Sequence, residues 1–136
     1  MSERFHTSWR VRFDEVDLQG VVHHTRIVTY LEIARVEYWR ELGISYKEMR
    51  EEGFEFIINK INVQYLNPLI FDEIIDVYVG VKTVQRASFI LEYEIFNQSG
   101  TKAIYAETGL LCSPVGTGKP CGLPAKYLER LKNPDL

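Results

Sequence analysis

The sequence predicts an α+β fold in which an antiparallel sheet is covered by one long helix. Two observations carry this. A single stretch of about eighteen residues, Thr25 to Leu42, places its apolar residues three and four apart, as a helix with one buried face requires. From residue 57 to 113 the chain then alternates apolar and polar residues in four successive segments separated by turn-forming residues. One helix and one sheet, each apolar on one side, satisfy each other by packing face to face.

In chain order, residues 8–13 set Trp9, Val11 and Phe13 against Ser8, Arg10 and Arg12, the alternation of a half-buried strand. The long helix follows, with Ile27, Leu31, Ala34, Tyr38 and Leu42 on its buried stripe and Gly43 as its stop. Ser45 to Glu52 reads as a short second helix. Ser45 is its N-cap, Glu48 completes a capping box, and Gly53 ends it. Strand Ile57–Leu66 alternates Ile61, Val63 and Tyr65 with Lys60, Asn62 and Gln64, and Asn67-Pro68 breaks it. Strand Ile74–Val84 turns Ile75, Val77, Val79 and Val81 to one face, and strand Ala87–Asn97 does the same with Phe89, Leu91, Tyr93 and Ile95. A turn at Gln98-Ser99-Gly100 leads to the last strand, Lys102–Ser113, and a Gly/Pro-rich segment precedes a short helix at 125–131. The four later strands are expected to be hairpin-linked neighbours, joined by the first strand. A single helix wrapped in such a sheet is the hot-dog arrangement.

At 136 residues the chain suits a single domain spanning 1–136, and its 46% hydrophobic and 26% charged content is that of a folded globular protein. The N-terminal MSERFHTSWR lacks the apolar run of a signal peptide, and no stretch is long enough to span a bilayer, so a cytoplasmic protein without a membrane partner is expected. Cys112 and Cys121, nine apart, have neither CxxC nor Cys/His spacing, which points to reduced thiols and no metal. A net charge of −3 disfavours a nucleic-acid partner.

The chemistry is concentrated in Asp14-Glu15-Val16-Asp17-Leu18-Gln19-Gly20-Val21-Val22-His23-His24, between the first strand and the long helix. The N–H groups that begin a helix have no internal acceptors and carry partial positive charge, so they can stabilise an oxyanion. A carboxylate and an imidazole beside them supply the rest of an acyl-transfer site. The same residues would also suit a structural turn and cap, since Asp and Gly are ordinary turn residues and adjacent histidines are expected to diverge. Residue types alone leave both readings open.

The run Asp17-x-x-Gly20-Val21-Val22-His23-His24, followed by Tyr30-Leu31-Glu32-x-Ala34-Arg35-x-Glu37-Tyr38, resembles the signature of the 4-hydroxybenzoyl-CoA thioesterase-like family, which includes the acyl-CoA thioesterases associated with the Tol-Pal system. Arg10-Val11-Arg12-Phe13, Tyr65-Leu66-Asn67-Pro68 and Arg86-Ala87-Ser88-Phe89 extend the likeness over residues 8 to about 115. The resemblance implies the hot-dog fold and hydrolysis of an acyl-CoA substrate without a cofactor. Asp17 would be the catalytic nucleophile or general base, with His24 beside the reacting carbonyl. Gly20, Val21, Val22 and His23 would line the substrate, with Arg86 and Ser88 from the central hairpin. The oxyanion donors are expected either at Val22–His24 or at the strand opening of Glu55 and Phe56. His23 stands where the family usually has an aromatic residue, and Arg26-Ile27 replaces Asn-Tyr or Ser-Tyr, departures that bear on acyl preference.

No GxSxG elbow is present, so an α/β-hydrolase route is not expected. Glu32 with Arg35 and Glu37 with Arg40 read as i,i+3 helix pairs, although a carboxylate on this helix serves catalysis in other hot-dog lineages. Arg86 and Lys82 are candidates for CoA phosphates or for plain surface charge. A hot-dog hydratase or dehydratase and a non-catalytic acyl-CoA-binding protein are the competing functions. Exposed sheet edges lead to the expectation of a homo-oligomer, a dimer at least and a tetramer by further assembly.

Overall fold

The computed structural model describes residues 4–134. Five strands, β1 (His6–Arg10), β2 (Phe54–Tyr65), β3 (Ile74–Val84), β4 (Ser88–Phe96) and β5 (Lys102–Pro114), form one antiparallel sheet in the order β1-β3-β4-β5-β2. Helices α1 (His24–Leu42) and α2 (Tyr46–Glu51) lie between β1 and β2, and α3 (Ala125–Lys132) follows β5. This is the hot-dog fold.

The expected alternation is realised through β4 and in β3 as far as Val79, whereas Val81 is only half-buried where the β3 register shifts between Val81 and Thr83. Ile75, Val77, Phe89, Leu91, Tyr93 and Ile95 are all buried, and the register sets Val79 opposite Tyr93 and Tyr93 opposite Ala106. Against this face α1 buries Ile27, Tyr30, Leu31, Ala34, Tyr38, Trp39 and Leu42. Each of the larger aliphatic side chains among them contributes roughly 1.5–3 kcal/mol of hydrophobic stabilisation. The helix starts at the N-cap His23, whose Nδ1 accepts from the Thr25 N–H, and ends at Gly43 in the left-handed conformation. Ser45 caps α2 through the Glu48 N–H.

Three expectations are corrected. The first strand is shorter than expected. It stops at Arg10, and the chain turns through a 3-10 turn at Phe13–Glu15, held by an Arg12–Asp14 ion pair of 2.8 Å. Phe13 is therefore 78% exposed rather than inward, its ring edge-on to Phe71. The four later strands are not all hairpin neighbours. Among the described residues β2 pairs only with β5, because residues 66–73 carry the chain across the sheet to β3, which lies next to β1.

Third, β2 does not present a continuous buried face. Its register shifts between Ile58 and Lys60, beyond which Ile61 and Tyr65 are exposed and Val63 only half-buried. Gly109 on β5 makes room for that bulge, since a Cβ there would come within 2.6 Å of the Asn59 amide oxygen. Bulge and exposure leave the distal half of β2 free to form the wall of a groove.

Candidate active site

The loop between β1 and α1 closes on itself. Val16 and Val22 form an antiparallel bridge, the Asp17 N–H donates to Val21 O at 2.9 Å, and the Gly20 N–H donates to Asp17 O at 3.0 Å. Gly20 has φ +78°, a left-handed conformation that favours glycine and lets so short a turn close. The Asp17 carboxylate is part of this turn. Its Oδ1 accepts from the Gln19 N–H at 2.9 Å and the Val21 N–H at 3.2 Å, while Oδ2 has no hydrogen-bond partner among the described residues. One carboxylate oxygen thus orients the group and the other remains available for chemistry.

The turn is docked on the segment after β2. The Val22 N–H donates to Leu69 O at 2.8 Å, Val21 bridges Ile70, and the Phe71 N–H donates to Gly20 O. This pairing opens a groove of about 420 Å³. Asp17, Val21, Val22, His24 and Ile27 line one side, and Tyr65, Leu66, Asn67, Pro68, Leu69 and Ile104 the other. Apart from Asp17, His24, Tyr65 and Asn67 the lining is apolar, and Asn67 Nδ2 is already spent on Lys102 O at 2.8 Å. The Tyr65 hydroxyl donates to His24 O at 3.4 Å, tying the end of β2 to the first residue of α1.

The N–H groups at the start of α1 are not equivalent. Val22 donates to Leu69 O, His23 to Glu15 O at 2.9 Å, Thr25 to the His23 imidazole at 3.3 Å and Arg26 to His23 O at 2.8 Å. The His24 N–H alone in this stretch has no acceptor among the described residues. The expectation of donors across Val22–His24 therefore narrows to one group. The His23 and His24 rings do not diverge as expected. Their centroids lie 4.3 Å apart with planes 30° from parallel, and His23 Nδ1 is committed to the cap and to the Thr25 hydroxyl. Among the described residues no group of three or more His, Cys, Asp or Glu is placed to hold a metal ion.

Of the three acidic residues in the loop, each has a separate task. Asp14 pairs with Arg12, and Asp17 lines the groove. Glu15 Oε1 accepts from the Arg12 N–H and from the Tyr30 hydroxyl, both at 2.8 Å. Burial first, and the Glu15 carboxylate second, raise the Tyr30 phenol above its ordinary value, so it stays protonated and donates.

The other sequence candidates lie elsewhere in the chain. Glu55 and Phe56 sit at the opposite end of β2 from Tyr65, roughly 30 Å away at the usual rise per strand residue. Glu55 pairs with Arg50 at 3.2 Å and accepts from the Gly116 N–H, and Phe56 packs its ring among Trp39, Phe89 and Tyr127. Ser88 faces Leu111, itself opposite Ile57, so Arg86 and Ser88 belong to that same far end. Within one chain these four residues do not meet the Asp17 groove. Lys82 is engaged with Glu107 at 2.8 Å, and Glu37 pairs with Arg40 on the exposed side of α1, whereas no ion pair joins Glu32 to Arg35 among the described residues. The sequence reading missed Glu15 as a structural bond and residues 65–69 as the facing wall, although Tyr65-Leu66-Asn67-Pro68 stood out in the resemblance.

Comparison with known proteins places the fold in a family. A family model described as the thioesterase-like superfamily matches residues 11–131. The chain belongs to the thioesterase-like superfamily. Its similarity to an Escherichia coli relative named acyl-CoA thioester hydrolase YbgC is 27% identity, covering 90% of this chain and 92% of that one. A hypothetical protein from Aquifex aeolicus superposes with a TM-score of 0.86 at 31% identity, over 93% of this chain and 98% of that one. A DHNA-CoA thioesterase from Staphylococcus aureus superposes with a TM-score of 0.81 at 33% identity, over 87% and 79% of the two chains. This member of the superfamily is a thioester hydrolase. No helix among the described residues is long and apolar enough to cross a membrane.

Proposed function

We propose that the chain hydrolyses acyl-CoA thioesters to free CoA and a carboxylic acid, with Asp17 as the reacting carboxylate. The observation that carries this reading is the groove itself, where Asp17, with one carboxylate oxygen unbonded among the described residues, and His24, whose N–H has no acceptor among them, line the same largely apolar cleft. The acyl chain lies along Val22, Ile27, Leu69 and Ile104, and the thioester carbonyl accepts from the His24 N–H. As the tetrahedral intermediate forms, that N–H and the partial positive charge of α1 stabilise the oxyanion in a partly desolvated site. The His24 imidazole polarises or positions the carbonyl. Val21, Val22 and Gly20 shape the turn that presents Asp17, and His23 fixes the helix start.

Asp17 acts by attacking the carbonyl carbon, with expulsion of CoA thiolate and hydrolysis of the resulting mixed anhydride, or by taking a proton from the water that attacks. Thiolate is a good leaving group, so neither route needs a Ser-His-Asp relay. A single turnover in heavy-oxygen water, with hydroxylamine trapping beside it, separates them. Label entering the Asp17 carboxylate identifies direct attack, while label confined to the product acid fits both the water route and water attack on the acyl carbonyl of the anhydride, which hydroxylamine trapping of the anhydride tells apart. Incubating the protein with a panel of acyl-CoAs and a thiol reagent tests the function. CoA release supports it, while enoyl hydration, or binding without turnover, overturns it.

The working unit is a homo-oligomer, with a dimer as its smallest form and a tetramer as its further assembly. β2 is a twelve-residue edge strand with Ile58, Ile61 and Tyr65 exposed, and the outer side of α1 exposes Val28, Ile33 and Val36. Such an edge invites pairing with a second copy. Antiparallel pairing of two β2 strands about their midpoint brings Glu55 and Phe56 of one protomer opposite Gln64 and Val63 of the other, next to its Tyr65. Arg86 and Ser88 approach on the same side. On this reading the far-end residues serve the groove of the neighbouring subunit, where Arg86 is available for CoA phosphates. The setting of the reaction is the cytoplasm.

A further inference from the structure

We propose that Glu15 and Tyr30 are positioning residues for the reaction, forming a carboxylate–phenol clasp that holds the Asp17 turn in register with the start of α1. The inference rests on the reading of Asp17 as the reacting carboxylate. The turn from Val16 to Val22 is closed by its own bonds, so it moves as one piece and its activity depends on how that piece is anchored. One side is anchored by Val22 to Leu69 O and Phe71 to Gly20 O. The other is anchored by Glu15, which lies at the base of the turn.

Glu15 gathers three segments. Its backbone O accepts the N–H of the N-cap residue His23, its Oε1 accepts the Arg12 N–H from the end of the β1 segment, and the same Oε1 accepts the Tyr30 hydroxyl from the body of α1. Tyr30 is fully buried and its ring is held edge-on by Trp9 at 5.3 Å, so its hydroxyl is a fixed point within the core. Arg26 adds only a longer contact, 3.4 Å to Asp14 O. With the clasp made, Asp17 and the His24 N–H approach one carbonyl from two elements whose relative height is set. Without it, the turn keeps its internal shape and loses that height. Displacements of about an ångström at a reacting centre are costly in turnover.

The test compares Glu15→Gln, Glu15→Ala and Tyr30→Phe in the full-length protein. An amide oxygen accepts the same two hydrogen bonds, so Glu15→Gln should keep kcat within about twofold, while Glu15→Ala and Tyr30→Phe should lower kcat roughly tenfold with KM nearly unchanged. Amide hydrogen exchange gives a second readout independent of turnover. The Val21 and His23 amides should exchange faster in Glu15→Ala and Tyr30→Phe and at the wild-type rate in Glu15→Gln. Unchanged kcat and exchange in Glu15→Ala, with only a lower melting temperature, would show a purely structural bond and overturn the proposal. Equal damage from Glu15→Gln and Glu15→Ala would overturn it too, by showing that the charge matters. A wild-type chain that cleaves no acyl-CoA defeats the functional reading instead, and the exchange comparison still decides the clasp.

Discussion

The His24 N–H can be removed without removing the helix it begins. His24 is the first residue of α1, its N–H makes no hydrogen bond among the described residues, and proline is favoured at that position because it has no N–H to lose. The preceding residue, His23, has φ −64° and ψ 137°, extended values that a following proline accepts. His24→Pro therefore deletes the imidazole and the N–H together, and His24→Ala deletes the imidazole alone. The ratio of the two isolates the backbone donor. Removing one oxyanion donor typically costs about 10²–10³ in kcat, or ~2.7–4 kcal/mol of transition-state stabilisation. We expect His24→Ala to lose roughly tenfold, as a positioning group, and His24→Pro to fall about a further hundredfold or more. Steady-state CoA release with a thiol reagent gives kcat, and circular dichroism melting checks that both variants stay folded. If His24→Pro and His24→Ala turned over equally fast in folded protein, the His24 N–H would not be the oxyanion donor.

Two further predictions concern the molecule as a whole. Burial, then Cys121, pushes the Cys112 thiol from an ordinary value of 9.0 up to about 12, and burial raises Tyr30, Tyr46, Tyr93 and Tyr127 above 10.0. The unfolded chain releases these protons at lower pH than the native state, so the native state binds more protons and stability must fall as pH rises above about 9. Calorimetric melting temperatures should decline steadily from about pH 9 upward, and a flat profile to about pH 11 would refute the reasoning. Sedimentation at micromolar concentration should show a dimer or larger species, and a monomer with full activity would refute the shared groove.

The parts of the fold written in local periodicity were legible in the sequence. Ile27, Leu31, Ala34, Tyr38 and Leu42 define a buried stripe whatever surrounds it, and β4 and the first half of β3 alternate cleanly because both strands lie inside the sheet. β2 was harder to read. At the edge, nothing requires Ile61 and Tyr65 to be covered, and its pairing with β5 depends on a crossing by residues 66–73 that no short-range pattern encodes. Phe13 misled for a related reason, since alternation continues past Arg10 where the hydrogen-bonded ladder does not.

The site divides the same way. Asp17 and His24 stood out because three carboxylates, a glycine and two histidines in one loop make an unusual composition, and the resemblance gave them roles. The facing wall was invisible. The hydrogen bonds from the Val22 N–H to Leu69 O and from the Phe71 N–H to Gly20 O join positions about fifty residues apart, and these leave no mark on either segment's pattern. Glu15 was hidden by its neighbours, as the hydrogen-bonding task that separates it from Asp14 and Asp17 is set by the tertiary position of Tyr30.

The central claim is that Asp17 is the reacting carboxylate, and Asp17→Asn tests it most directly. An Asn Oδ1 can still accept from the Gln19 and Val21 N–H groups, so the turn, fold and oligomer should survive. Glu37→Gln is the matched control, since Glu37 pairs with Arg40 on the exposed side of α1, a bond worth about 0.3–0.5 kcal/mol at most. Measured as kcat for acyl-CoA hydrolysis, Asp17→Asn should lose at least about a hundredfold while Glu37→Gln stays near wild type. Near wild-type turnover in Asp17→Asn, with loss of activity in Glu37→Gln, would move the chemistry from the loop to the helix and contradict the account.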